Sequence, residues 1–330
     1  MRLLLQITFL LAFFLLAPIA ASAKLADVDT EWRVDLASTF QFLNHTRATG
    51  GNLGAGIQTA LLHTQFKPID SNRVSAHLGL GVLERFGYNA AVSPYSPIDI
   101  GLQYAWISLH RTTNWQWQIG QLQSKLRLES ALSNQNNHIL HSALSQSHSF
   151  YYPGVRTLFQ LGTLQFYMEL NGIERPHGSS WASGMQWDYR SNSFIKLNAM
   201  LTDDEILLLD LSGYQQFSWI EIGGTANLFQ IYDELAWRDD EAFALAGYLK
   251  LSINKHALSL RSEFISDGNT GIYGNIKAGF ITLTHSYKLN RLSTLRHEFI
   301  YSKSQNPVYR DNGQVVQDQF SFAIQLAMAF

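Results

Sequence analysis

Apolar and polar residues alternate along nearly the whole chain. Trp32, Val34, Leu36, Phe40 and Phe42 are interleaved with Arg33, Asp35, Thr39 and Gln41, and Val74, Ala76, Leu78, Leu80 and Val82 with Ser75, His77 and Gly79. The pattern returns at Ile98, Ile100, Leu102, Tyr104 and Trp106, at Leu164, Phe166, Met168 and Leu170, and at Phe320, Phe322, Ile324, Leu326, Met328 and Phe330. Successive side chains of a strand point to opposite faces, so a period of two predicts strands with one apolar and one wet face. Sixteen such segments are predicted, around residues 32–43, 54–66, 73–86, 97–110, 113–122, 154–161, 163–172, 181–190, 192–202, 204–213, 216–227, 242–252, 255–265, 271–286, 293–303 and 318–330.

Two architectures use many strands of this kind. In a soluble sandwich or propeller the apolar faces meet in a core; in a transmembrane antiparallel β-barrel they meet lipid. Length separates the two, since globular strands run about 5 to 6 residues and membrane-spanning strands about 9 to 11. Most segments reach the longer figure and carry Trp or Tyr near their ends, as the aromatic girdles of membrane barrels do. The expectation is therefore an all-β transmembrane barrel. Such barrels also gather short turns at one end and long loops at the other. KPIDSN, HRTTN, LGT, RSN, GYQQ, NKH and YKLNRL are predicted as periplasmic turns, and HTRATGGN, GYNAAVSPYS, ERPHGSS, QIYDELAWRDDEA and SQNPVYRDNGQVVQ as outer loops. The outer connections TDD and SDGNTG are short, and loss of a hairpin between residues 192 and 242 would leave fourteen strands.

Composition narrows the choice further. Aromatic residues make up 13% of the 330 residues and charged residues only 15%, against about 25% charged in an ordinary soluble domain. Apolar surface is being covered without any long apolar segment beyond the first residues. There, Arg2 precedes LLLQITFLLAFFLLAPIA and the small-residue run Ala21-Ser22-Ala23, which reads as a cleaved signal peptide over 1–23 followed by one barrel domain over 24–330. An uncleaved membrane anchor is the alternative, but the run is short for the roughly 20 residues of a spanning helix. Cleavage would leave 23 basic and 26 acidic residues and a net charge of −3, which gives no support to a nucleic-acid partner. The absence of cysteine removes disulfides, thiolate catalysis and Cys-ligated metals.

The longest connection, from about Gln123 to Gly154, has helix-like spacing of Leu126, Leu128, Leu132, Leu140 and Leu144; a loop of this length is functional or disordered. With IGQLQSKLRLES leading into it and YYPGVRTLFQLGTLQFYMELNGI returning to the wall, the chain resembles the sixteen-stranded general porins of bacterial outer membranes. The resemblance spans 24–330 and is architectural. It implies a third outer loop folded into the barrel, where it narrows a water-filled pore, and passive diffusion of small hydrophilic solutes or ions without cofactor. It also implies trimeric assembly, lipid and lipopolysaccharide as surroundings, and recognition of Phe330, Met328 and Leu326 by the barrel-assembly machinery, although Gln325 stands where many such terminal signals carry glycine.

If the alternation is phased correctly, Arg33, Arg156, Arg190, Lys196, Lys250, Arg261, Lys277 and Arg296 face the lumen, as do Asp35, Asp99, Glu169, Asp188, Asp210, Glu221, Glu263 and Glu298. The signs balance. Charge selectivity requires one sign to cluster at a constriction, for which the candidates are Lys125, Arg127 and Glu129 on the loop, facing Arg33, Arg190, Arg261 and Arg296 on the wall. Three pairs two residues apart, Asp188 with Arg190, Arg261 with Glu263 and Arg296 with Glu298, read as a solvated salt-bridge ladder or as a solute track. The loop histidines His138, His141 and His148 read as solvated side chains rather than metal ligands, since no third ligand stands at suitable spacing. Two other functions are kept. An enzyme acting on lipid would use His256, Ser262 and His297, which face outward, but no acidic or amide partner and no G-x-S-x-G motif accompanies them. A surface binding or structural barrel would place its specificity in outer loops such as YDELAWRDDEA.

Overall fold

A computed structural model describes residues 28–43, 52–68, 74–83, 99–126, 128–130, 135–147, 151–172, 179–203, 205–233, 238–268, 270–311 and 314–329. The expected signal segment, Arg127, His148 and Phe330 lie outside the described residues. The chain forms strands β1 (Val28–Leu43), β2 (Asn52–Pro68), β3 (Val74–Leu83), β4 (Asp99–Thr112), β5 (Trp115–Gln123), β6 (Tyr151–Leu161), β7 (Leu164–Gly172), β8 (Ser179–Arg190) and β9 (Ser193–Thr202). It continues through β10 (Ile206–Gln216), β11 (Ile220–Asp233), β12 (Arg238–Ile253), β13 (His256–Asp267), β14 (Lys277–Lys288), β15 (Ser293–Ser304), the short β16 (Tyr309–Asp311) and β17 (Gln314–Val316), and β18 (Asp318–Ala329).

Sixteen of these strands pair antiparallel in chain order, and β18 closes the barrel between β15 and β1. Closure leaves no sheet edge, which is what permits a sheet to cross lipid. Asp35 to Leu43 pair with Ala329 back to Ser321 across the seam. β9, β10 and β11 pair along their length, so the count is sixteen rather than fourteen.

The connections obey the short-and-long rule, although GYQQ, expected as a turn, is the end of β10, and the turn falls at 217–219. At one end two-residue turns join β4 to β5, β6 to β7, β8 to β9 and β12 to β13. Three of these turns need a left-handed residue and place Gly162, Asn192 and Asn254 there, with φ of 60°, 57° and 56°. Two outer connections differ from expectation. Most of QIYDELAWRDDEA is strand, because β11 runs to Asp233 and β12 begins at Arg238, with Asp239 and Asp240 opposite Tyr232 and Ile231. Conversely, residues 271–276 are not strand. Asp267 gathers that segment into a tight loop by accepting the amides of Thr270, Tyr273 and Asn275 at 2.8, 2.9 and 3.0 Å, and Gly271, Gly274 and Asn275 adopt positive φ.

The period-two reading of the faces holds on most strands, with two corrections. A bulge at Gln103 of β4 shifts the phase, so Leu102 stays outward while Tyr104 and Trp106 turn into the lumen against His63 and His77. Lys277, expected in the lumen, is exposed on the outward phase of β14. Outward side chains such as Met168 and Trp181, each 59% exposed, form the apolar belt. Inward, the structure departs from a uniformly wet lumen. Leu208, Phe229, Ile265 and Phe280 point inward and are buried, packing with Leu126, Ala143 and Leu144 of the third outer loop and with Tyr273 and Ile276 of the 270–276 segment. Val308, next to the β16–β17 hairpin, joins the same cluster. This core lies inside the barrel, where loop side chains rather than water cover the wall of β10 to β14.

Candidate functional site

The third outer loop leaves β5 at Gln123 and crosses the lumen. At its root, the Lys125 carbonyl accepts from Lys196 Nζ at 3.2 Å and Asn198 Nδ2 at 3.4 Å, both inward on β9. Further along, Glu129 meets Arg261 Nη1 of β13 at 2.9 Å and accepts the Ser142 amide at 2.7 Å, which folds the loop back on itself. The loop then docks on the far wall. Glu298 of β15 accepts the amides of Ile139 and Leu140 at 2.7 and 2.9 Å, Glu263 of β13 accepts that of Ala143 at 2.8 Å, and Arg296 donates to the Asn136 carbonyl at 2.5 Å. Arg261 also donates to the Leu140 carbonyl at 3.0 Å and is ion-paired with Glu263 through Nε.

Charges in this seam are satisfied by backbone groups and by one another. Arg261 is 1% exposed and Glu298 fully buried. Such groups cost several kcal/mol to desolvate unless paired, so each becomes a strong constraint on where the loop lies. Burial opposes the charge of Glu129, but Arg261, His141 and the Ser142 amide hold its pKa below the usual carboxylate range. Burial, reinforced by Arg261, lowers the pKa of His138 despite Glu298 beside it, and its Nδ1 lies 2.7 Å from Thr284 Oγ1.

The structure separates the predicted site residues into groups. Glu129, Arg261, Glu263, Arg296 and Glu298 come together, but beneath the loop rather than along a water-filled channel. The pairs Arg261 with Glu263 and Arg296 with Glu298 are therefore neither a solvated ladder nor an exposed solute track. Lys125 is largely buried at the loop root, with Gln165 Oε1 3.4 Å from its ammonium. Arg33 keeps 49% of its side chain exposed and meets Asp35 at 2.9 Å. Arg190 ends β8 opposite Ser193 at the short-turn rim, far from the loop. His138 and His141 are buried rather than solvated, His141 with Nε2 2.9 Å from the Ser130 carbonyl. Among the described residues no group of three or more acidic or imidazole side chains is placed to hold a metal ion.

Sequence reasoning missed Lys196, Asn198 and Thr284 as loop anchors. Their partners within the loop are the Lys125 carbonyl and the His138 imidazole, and a backbone partner leaves no residue-specific trace in the sequence.

On the other side of the lumen the inward residues of β5 to β8 differ in kind. Gln160, Gln165 and Gln186 stand in register across β6, β7 and β8 and retain exposure, as do Gln116 and Gln118 on β5. Their charged neighbours are engaged: Glu169 by Arg156 at 2.5 Å and Asp188 by Gln186 at 2.7 Å.

A closed sixteen-stranded barrel with a long third loop docked across its lumen is the architecture of outer-membrane porins. Residues 234–330 match the model of a family described as "Putative beta-barrel porin-2, OmpL-like". In structure the chain is similar to the anion-selective porin from Comamonas acidovorans, with a TM-score of 0.70 and 11% identity over 92% of this chain and 100% of that one. It is also similar to Salmonella typhi OmpF in complex with daunomycin, at 0.64 and 9% over 92% and 98% of the chains. Outer-membrane expressed OmpT of Vibrio cholerae matches at 0.61 and 11% over 93% and 99%. These likenesses are of fold. No curated protein matches the chain.

Proposed function

We propose that the protein is a passive diffusion channel of the bacterial outer membrane for small hydrophilic solutes or ions, exported with residues 1–23 removed. One observation carries the reading: the loop is fastened to β13, β14 and β15, so the lumen is obstructed there, while the inward amides of β5 to β8 keep contact with solvent. Water-filled passage past polar, weakly charged walls needs no moving part and no energy source. Lys125 is the loop-borne cation that faces this passage, and with Arg33 it is proposed to bias the traffic toward anions. Arg127 and Arg190 remain proposed contributors, Arg190 acting at the periplasmic exit.

A non-enzymatic role is part of the same proposal. Outward Ser262 lies opposite Gly247 and Ile281, whereas His256 and His297 stack against His285, so no serine of this set has a histidine base as its register partner. A Vibrio cholerae OmpT structure is described as a trimer form, and a homotrimer set in lipid and lipopolysaccharide is the assembly proposed here. Phe330, Met328 and Leu326 are proposed to mark the last strand for the assembly machinery.

The test is single-channel recording of refolded protein in a planar bilayer. Discrete conductance steps with a reversal potential on the anion side are expected. A bilayer that stays closed while added phospholipid is hydrolysed would replace the channel by the enzyme.

A further inference from the structure

Three histidines interrupt the apolar outer belt near the short-turn rim. His256, His285 and His297 face outward by the alternation of β13, β14 and β15, and His285 is the register partner of His297. The rings form one stack: His256 to His285 at 5.3 Å and 17°, and His285 to His297 at 6.0 Å and 10°. His256 Nδ1 is 3.0 Å from His285 Nε2, and Tyr287 lies 4.8 Å from His256 at the rim. Near-parallel rings do not converge their nitrogens on a point, which disfavours a metal. Register places apolar Leu258 beside His285, and Leu283 with Phe299 one step further from the rim.

Imidazole nitrogens facing hydrocarbon are costly unless something polar meets them. The adjoining rim supplies a sign for that partner. Lys255 and Lys288 are exposed and adjacent, the Lys288 amide donating to the Lys255 carbonyl at 2.8 Å, and exposed Arg291 follows in the next turn. Neither 250–262 nor 281–297 contains an acidic residue. Cations at a membrane surface attract anionic headgroups, and imidazoles and a phenol at the same level supply donors to phosphate and ester oxygens.

We propose that this corner binds the phosphate headgroup of an anionic glycerophospholipid in the periplasmic leaflet. Lys255, Lys288 and Arg291 hold its charge, His256 and His285 donate to its oxygens, and Leu258 and Leu283 receive an acyl chain. The site rests on the outer-membrane location proposed above but not on conduction, so lipid capture and channel recording fail independently.

Native mass spectrometry of the folded barrel in neutral detergent, with phosphatidylglycerol or phosphatidylethanolamine added, reads the binding. The wild-type barrel is expected to retain phosphatidylglycerol in preference. The Lys255→Gln, Lys288→Gln double variant, altered only at exposed rim positions, is expected to lose that adduct about tenfold or more, as removal of two interfacial cations implies. Arg111→Gln, a rim cation elsewhere, is expected to leave it unchanged. Equal retention of the two lipids by the wild-type barrel overturns the site, as does an unchanged adduct in the double variant. Lipid-free oligomers abolished by His256→Ala would instead assign the face to a second copy of the chain.

Discussion

A single buried carboxylate shows how the lumen is shaped. Glu298 receives two loop amides and the Thr284 hydroxyl, the last at 2.6 Å. Charge-assisted bonds to a buried acceptor are among the strongest a protein makes, and their loss leaves two amides unsatisfied. Glu298→Ala is expected to weaken loop docking by about 2 to 4 kcal/mol and to give larger, noisier conductance steps in bilayer recordings; unchanged steps would mean the loop does not depend on this tether. Lys125 acts at the same scale on charge. Burial lowers its pKa to about 8, with Arg156 and Lys196 adding to the effect. Its proton therefore leaves as pH rises through about 8, and the channel's anion preference is expected to fall between about pH 7 and 9. Because the folded value lies below the unfolded one, the charged form is a cost to the fold, relieved as pH rises from about 8 toward 10.5. Reversal potentials of Lys125→Gln measured across that range are expected to lie closer to the cation side at pH 7 and to show no such fall. Lys125 was visible in the sequence as a loop cation; that Arg156 beside it is paired with Glu169, and that Lys125 itself is desolvated, depends on which strands meet at the loop root.

Among the elements, the strands and the placing of short turns against long loops were legible, and the interior structure of the loops was not. Alternation identifies the lipid face of β7 or β18 because a one-residue slip would exchange every side chain between lipid and lumen. The segment 271–276 reads as the start of a strand because Ile272, Tyr273 and Ile276 are apolar; it is a loop because those side chains enter the lumenal core and Asp267 holds its amides. Gly120 on β5 shows a backbone constraint hidden in one letter. Its φ of 137° lies where other residues are strained, and an added Cβ would sit 2.2 Å from the Ala105 carbonyl oxygen on β4. Gly120→Ala is expected to destabilise the wall leading into the third loop by about 1 to 3 kcal/mol. Heat-modified gel migration reads this as earlier unfolding than in wild-type protein, and equal migration temperatures would show that β4 and β5 relax to admit the methyl group.

The whole molecule is a barrel lined unevenly. Its outward face needs only apolar side chains, and the sequence supplies them at every second position. Its inward face mixes buried carboxylates, guanidinium groups, glutamines and phenylalanines, and nothing in the local pattern says which of them will meet water. Strand number, the phase of most strands, the separation of short turns from long loops and the antiparallel order were determined by the sequence itself, because solvation on two faces of a strand is a local property with a two-residue period; the bulge that turns Tyr104 and Trp106 of β4 inward was not. The tertiary structure alone decided that Arg261, Glu263, Arg296 and Glu298 fasten a loop instead of lining a filter. It alone gathered Leu208, Phe229, Ile265 and Phe280 into a core within the lumen, and stacked His256, His285 and His297 on the outside. Each depends on contacts between residues remote in the chain, and the balance between desolvation and pairing that fixes a charge's role is set only once those residues share a wall.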